Sequence, residues 1–156
     1  MQINALNDFA GSPEQVFALL TDEDFLGDVC AATGTISHRV AHHDLRTAIE
    51  RSIPAPSAVR RFVGDTLTTV EVMEWQPAAP DGSRAARLTA SVPGLPVTVA
   101  AEVKLGPGGR GTLVSYDGTF SVNIPLLGRK LEEQAAPAML DVLTAQQRLG
   151  NERLAG

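Results

Sequence analysis

The last third of the chain most constrains the fold. From Gly111 to Asn123 apolar and polar residues alternate, with Val114, Tyr116, Phe120 and Val122 on one face, as in a long half-buried strand. Ile124-Pro125-Leu126-Leu127-Gly128 then breaks the alternation. Beyond it Leu127, Leu131, Ala135, Met139, Val142, Leu143, Gln146 and Leu149 fall on or near one stripe of a helix running almost to the C-terminus. A long final helix laid against a strongly curved antiparallel sheet encloses a hollow, so the pattern predicts a container. Gly118 predicts a bend or bulge in the strand, and Pro137 a kink in the helix.

The preceding residues supply the rest of such a sheet. A short strand is expected at Gln2 to Phe9, followed by Ser12-Pro13-Glu14-Gln15. Ser12 is a natural N-cap, Pro13 fits the first helical position and Gln15 completes a capping box. A second short helix is expected from Asp22 or Glu23 to Ala32, with Phe25, Leu26, Val29 and Cys30 at helical spacing. From Thr35 the period becomes two. Strands are predicted over Ile36–Ala41, Leu45–Ile53, Leu67–Gln76, Arg84–Val92 and Pro96–Leu105, with a helical turn at Ser57 to Gly64. His43-Asp44, Pro80-Asp81-Gly82 and Pro93-Gly94 read as turns, and Gly106 to Gly111 as a connection into the last strand.

Strand, two short helices, about six further antiparallel strands and a long C-terminal helix is the order of the α+β helix-grip fold. On that order the chain resembles the START-like (SRPBCC) superfamily, which spans pollen-allergen-type ligand binders, lipid-transfer domains and aromatic polyketide cyclases. Ser12-Pro13-Glu14-Gln15-Val16-Phe17 with Leu19-Leu20-Thr21-Asp22 looks like that superfamily's first helix. Val122-Asn123-Ile124-Pro125-Leu126-Leu127-Gly128-Arg129-Lys130-Leu131-Glu132 looks like the strand-to-helix junction of a mainly actinobacterial branch. Trp75, the Asp81-Gly82 turn and Gly94-Leu95-Pro96-Val97 fit the same branch. The resemblance spans nearly the whole chain and implies a curved sheet of six to seven strands wrapped on the last helix. It does not single out a function, because one scaffold hosts many.

Composition narrows the partners. At 156 residues the prior is one domain, 1–156, with roughly 70% of the unfolded chain's surface buried on folding. The net charge of -5 and the scattered cations exclude the basic stripe of a nucleic-acid binder and disfavour anionic membrane surfaces. No run approaches about 18 apolar residues, so stable membrane insertion is not expected. The single cysteine, Cys30, allows neither an intramolecular disulfide nor a cysteine metal cluster, which suits a cytoplasmic protein. No metal or other cofactor is expected.

The candidate chemistry is sparse. His38 and His42 share a strand face but stand roughly 13 Å apart, too far to ligate one metal. Gly106 to Gly111 opens a strand rather than a helix, unlike a phosphate cradle. Cys30 sits at an apolar helix position, as inert buried cysteines do. Glu50 and Glu71 would form an acid/base pair only if strand register brought them together.

The cavity is therefore expected to be lined by Phe25, Leu26, His38, Phe62, Trp75 and Leu88, and by Val99, Val103, Val114, Tyr116, Phe120, Met139 and Val142. Tyr116, His38, Arg46 and Glu50 are its candidate polar groups, and Phe25, Leu26, Val59 and Phe62 its candidate mouth. The favoured function is binding of an apolar or amphipathic small molecule. A cyclase- or hydratase-type enzyme using the same cavity, and a protein-docking module, are the alternatives. The residues leave catalysis open and name no protein partner.

Overall fold

The computed structural model describes residues 1–156. β1 (Gln2–Phe9) leads into α1 (Pro13–Leu20) and α2 (Glu23–Ala32). The capping box forms as expected: Ser12 Oγ accepts from the Gln15 amide at 3.2 Å, and Gln15 Oε1 accepts from the Ser12 amide at 2.9 Å. β2 (Ser37–His43) and β3 (Arg46–Pro54) are joined through Asp44, whose φ of 55° suits the tight turn. A 3-10 turn at Ser57–Val59 and α3 (Arg60–Val63) precede β4 (Thr66–Trp75) and β5 (Arg84–Ser91). β6 (Val97–Gly108), β7 (Gly111–Val122) and α4 (Gly128–Ala155) complete the chain.

The seven strands form one antiparallel sheet in the order β1-β7-β6-β5-β4-β3-β2, and with the long C-terminal helix they make an α+β helix-grip fold. α1 and α2 carry the chain from β1 at one edge to β2 at the other. Alternation sorts each strand into an inner face toward the helices and an outer face toward solvent. α2 packs across β2, while α4 packs on β1, β7 and α2. The two helices thus cover opposite margins of the inner face.

Two details depart from the sequence-based expectation. Gly118 makes no bulge: the register runs unbroken through Ile3↔Gly118 and Ala101↔Gly118. Its role is close approach, because an added Cβ would lie 2.6 Å from both the Ala100 carbonyl oxygen and the Ala101 Cβ. β6 also extends through Gly106-Pro107-Gly108, which pair with Leu113, Thr112 and Gly111. Only Gly109 and Arg110 remain as the connection, held by Asp8 Oδ1 accepting from the Arg110 amide at 2.8 Å. Pro137 lies inside a helix that is continuous from Gly128 to Ala155.

The core has two centres. A larger cluster joins Phe9, α1, α2, Trp75 and the nearer halves of β6 and β7. A smaller one joins Ala55, Val59, Phe120, Val122 and Leu131 at the end where α4 begins. The first end is plugged by α1. The second is bounded by α3, the β5–β6 connection and the β7–α4 junction.

Candidate functional site

Between the two clusters the inner face is apolar but not sealed. Met73, Leu88, Ala90, Val97 and Val99 point inward yet remain half-buried, as do Met139 and Val142 of α4. The cause is geometric. α4 lies against β1 and β7, whereas Met73, Leu88, Ala90, Val97 and Val99 belong to β4, β5 and β6. Small inward residues there, Ala90, Ala101 and Gly118, leave room.

Two polar constellations interrupt this surface. Arg51 on β3 and Glu71 on β4 stand diagonally across a strand pair, since Arg51 is registered with Thr69 and Ile49 with Glu71. Arg51 Nη1 donates to Glu71 Oε2 at 2.8 Å, and Arg51 Nε donates to the buried Cys30 Sγ at 3.2 Å. The Arg51 and Glu71 side chains are 14% and 24% exposed. Burial by itself lowers the Arg51 pKa, but the attraction of Glu71 and Cys30 outweighs it and raises the guanidinium above its ordinary value.

The second constellation joins β1, β7 and α4. Gln146 Nε2 donates to the Tyr116 hydroxyl oxygen at 3.0 Å and to Asn7 Oδ1 at 3.3 Å, and Asn7 Nδ2 donates to the Leu143 carbonyl at 3.2 Å. Tyr116 takes part only as an acceptor, so its O–H proton is not donated to any protein group. Burial pushes the phenol well above its ordinary value; the Gln146 donor opposes this and the Glu71 charge adds to it. Tyr116 is therefore a neutral hydrogen-bond donor in the interior. Trp75 completes the wall edge-on to Phe17, with ring centroids 5.3 Å apart, and Arg84 covers the Phe17 ring at 3.6 Å. The Trp75 Nε1 is buried without a partner.

The sequence-predicted lining residues divide between the two core clusters. Phe25, Leu26, Trp75, Val103, Val114 and Tyr116 are buried in the larger cluster, with Leu88 and Val142 packed against it. Phe120 is in the smaller cluster, with Val99 and Met139 against it. Two residues lie elsewhere. His38 is exposed on the edge strand β2, because the α2 residue beside its ring, Gly27, has no side chain to cover it. Phe62 is 61% exposed, because the 3-10 turn buries Val59 and the single turn of α3 directs Val63 inward and Phe62 outward.

The other polar candidates also separate. Arg46 and Glu50 face outward, Arg46 reaching Glu74 at 3.8 Å. Glu50 cannot meet Glu71, since the two lie on opposite faces of the sheet. Phe25 and Leu26 belong to the plugged end and Val59 to the other, so the four mouth candidates do not form one opening. Arg51, Gln146 and Asn7 are not among the polar groups expected inside the cavity. Odd-numbered alternation along β3 with Thr47 and Ile49 is the signal that would have placed Arg51 inward. No three His, Cys, Asp or Glu side chains converge.

Depressions of about 400 and 640 Å³ lie on the outer face of the sheet instead. They are shallow: the first is lined by Arg87, Thr89, Glu102 and Asp117, and the second by Leu6, Lys104, Leu113 and Ser115.

Comparison with known proteins gives the following. A family model described as "Protein of unknown function (DUF2505)" matches residues 5–154. No curated protein matches the chain. Among solved structures, the protein TTHA0849 from Thermus thermophilus is similar at 20% identity and a TM-score of 0.67, over 99% of this chain and 97% of that one. A STAR-related lipid transfer protein from Xanthomonas axonopodis is similar at 18% identity and a TM-score of 0.65, over 93% and 82%. Ara h 8.0201 is similar at 9% identity and a TM-score of 0.56, over 94% and 95%. These likenesses show the fold.

Proposed function

Since the chain belongs to the DUF2505 family, whose description assigns no function, its role has to be read from its interior, and we propose that it binds an apolar or amphipathic small molecule, lipid-like or polyketide-like, between the sheet and α4. The observation that carries this reading is the half-buried inner surface of Leu88, Ala90, Val99, Met139 and Val142, apolar and directed inward without being packed shut. A ligand that fills this space removes apolar surface from water, at roughly 25 cal/mol per Å². The STAR-related lipid transfer protein of like fold supports the same class of ligand. On this reading residues 1–156 act as one domain, in the cytoplasm, and the resemblance of the junction from Val122 to Glu132 supports membership of the mainly actinobacterial branch.

The polar groups set the ligand's orientation. Tyr116 offers an unspent O–H donor, so an oxygen acceptor on the ligand is matched there. Its raised pKa makes it a donor and not a base. A cyclase- or hydratase-type reaction on the same bound molecule is the second reading, favoured by Tyr116 and Glu71 both facing the interior.

Native mass spectrometry of protein purified gently from its own host, followed by solvent extraction, tests the binding reading. A stoichiometric apolar compound is the expected result. An apo mass together with no uptake of the apolar dye N-phenyl-1-naphthylamine refutes it. Turnover of the extracted compound that is lost in Tyr116→Phe would select the enzyme reading.

A further inference from the structure

Leu126, Phe62 and Ile36 are 103%, 61% and 58% exposed. They sit on three separate segments, yet the topology brings all three to one end of the molecule. Ile36 precedes β2 and its amide bonds the Ser52 carbonyl near the end of β3 at 2.8 Å. Phe62 lies in α3, which joins the end of β3 to the start of β4. Leu126 lies between the end of β7 and the start of α4. This is the end of the smaller core cluster, opposite the end plugged by α1. Leu126 also has a φ of 69°, a conformation that favours glycine or asparagine, so a fully exposed leucine is held there against local preference.

The cations at this end are Arg60, Arg61, Arg129 and Lys130. Arg129 is paired with Glu133, whereas Arg61 lies 4.8 Å from the Phe62 ring centroid and Lys130 has no ion pair. The acids here are Asp65, Glu132 and Glu133, and Glu132 is held by the Val122 amide and the Met1 amine. The net charge of -5 therefore comes from the rest of the molecule. Arg60, Arg61, Arg129 and Lys130 outnumber the acids at this end, whereas acids outnumber cations over the remainder of the chain, a distribution that net charge alone conceals.

We propose that this end docks on an anionic lipid bilayer, with Leu126, Phe62 and Ile36 entering the interface and Arg60, Arg61 and Lys130 meeting lipid phosphates. Apolar tips separated in sequence and interleaved with cations do not make the continuous face a folded protein partner needs. A bilayer deforms around separate tips, takes each apolar side chain singly and neutralises the cations between them. Docking is peripheral: no helix is long and apolar enough to cross a membrane.

The test is co-sedimentation of the full chain with extruded vesicles of phosphatidylcholine, with and without phosphatidylglycerol. The expected result is partitioning onto the phosphatidylglycerol vesicles that weakens with salt. It should fall about tenfold in Leu126→Ser/Phe62→Ser and about thirtyfold in Arg60→Gln/Arg61→Gln, the size two interfacial cations contribute. Leu6→Ser, on the outer face, should leave it unchanged. No partitioning onto either vesicle, equal partitioning by wild type and both double variants, or a loss as large in Leu6→Ser overturns the proposal. These side chains are exposed, and unchanged near-ultraviolet circular dichroism from buried Trp75 verifies folding. Docking does not require a ligand in the interior, so an apo mass without dye uptake, combined with vesicle binding, would refute the binding reading and leave this one standing.

Discussion

Arg51 and Glu71 meet at 2.8 Å on the inner face of the sheet, on adjacent strands and diagonal in register. The pair sits beside apolar surface, where each charge is tolerable only because the other is present. It is one of two polar constellations on the inner face, and it is far less exposed than outer-face ion pairs such as Arg87 with Glu102.

Removing one member should therefore be worse than removing both. Glu71→Gln is expected to destabilise the fold by up to about 3 kcal/mol, because it leaves the Arg51 guanidinium uncompensated. Arg51→Met/Glu71→Leu should recover most of that loss. Urea denaturation of the three proteins measures it; a Glu71→Gln variant as stable as wild type would show that solvent already screens the pair.

Tyr116 makes stability depend on alkaline pH. Its folded pKa lies above the ordinary phenol value of 10.0, so between that value and the folded pKa the unfolded chain loses the proton while the folded one keeps it. The stability present below pH 10 should decline as pH rises through this window, and Tyr116→Phe should flatten the decline. Thermal melts from pH 8 to 11 measure the difference, and parallel curves would contradict the assignment.

Glu132 works in the opposite direction. The Val122 amide donates to its carboxylate at 3.1 Å, and the Met1 amine and Arg129 add to the effect, so its folded pKa lies below the ordinary 4.5. Its contribution is present above that value and is lost as pH falls through the folded pKa. Glu132→Gln should lower stability at neutral pH and remove part of the acid-side decline. Melts between pH 7 and 3 measure this.

Ala90 tests whether the interior is open. Ala90→Leu adds bulk to an inward, half-buried site opposite Val99. In a sealed core such overpacking costs about 1–3 kcal/mol. Here the expected cost is below about 1 kcal/mol, with affinity for N-phenyl-1-naphthylamine reduced about tenfold, as pocket volume changes of this size do. A large loss of stability would mean that the space is filled.

Gly150 sets two known effects against each other. Alanine in a helix gains about 1 kcal/mol over glycine, but a Cβ at this position would stand 2.7 Å from Phe9 Cε1 and 3.0 Å from Leu19 Cδ2. Phe9 is fully buried and cannot give way, so packing should win and Gly150→Ala should lose about 1 kcal/mol net. Chemical denaturation decides the sign.

The order of elements was legible because each carries local chemistry: Ser12 to Gln15 for the cap of α1, alternation from Val97 to Leu105 for β6, and the Leu127 to Leu149 stripe for α4. The strand face on which a charge lies was less legible. Glu50 and Glu71 look alike in sequence, and so do Arg46 and Arg51, but a shift of one residue sends a side chain to the other face. His38 has the right parity for the interior and is nevertheless exposed, because it lies on the edge strand against Gly27 of α2, which has no side chain to cover it.

The sequence by itself determined the elements, their order and the apolar interior they enclose, since periodicity and capping act over a few residues. Only the tertiary structure decided that Arg51 meets Glu71, that Tyr116 meets Gln146, and that Ile36, Phe62 and Leu126 gather at one end. Each of those outcomes depends on strand register, sheet order or helix placement, which are properties of the whole packed chain and of no local segment.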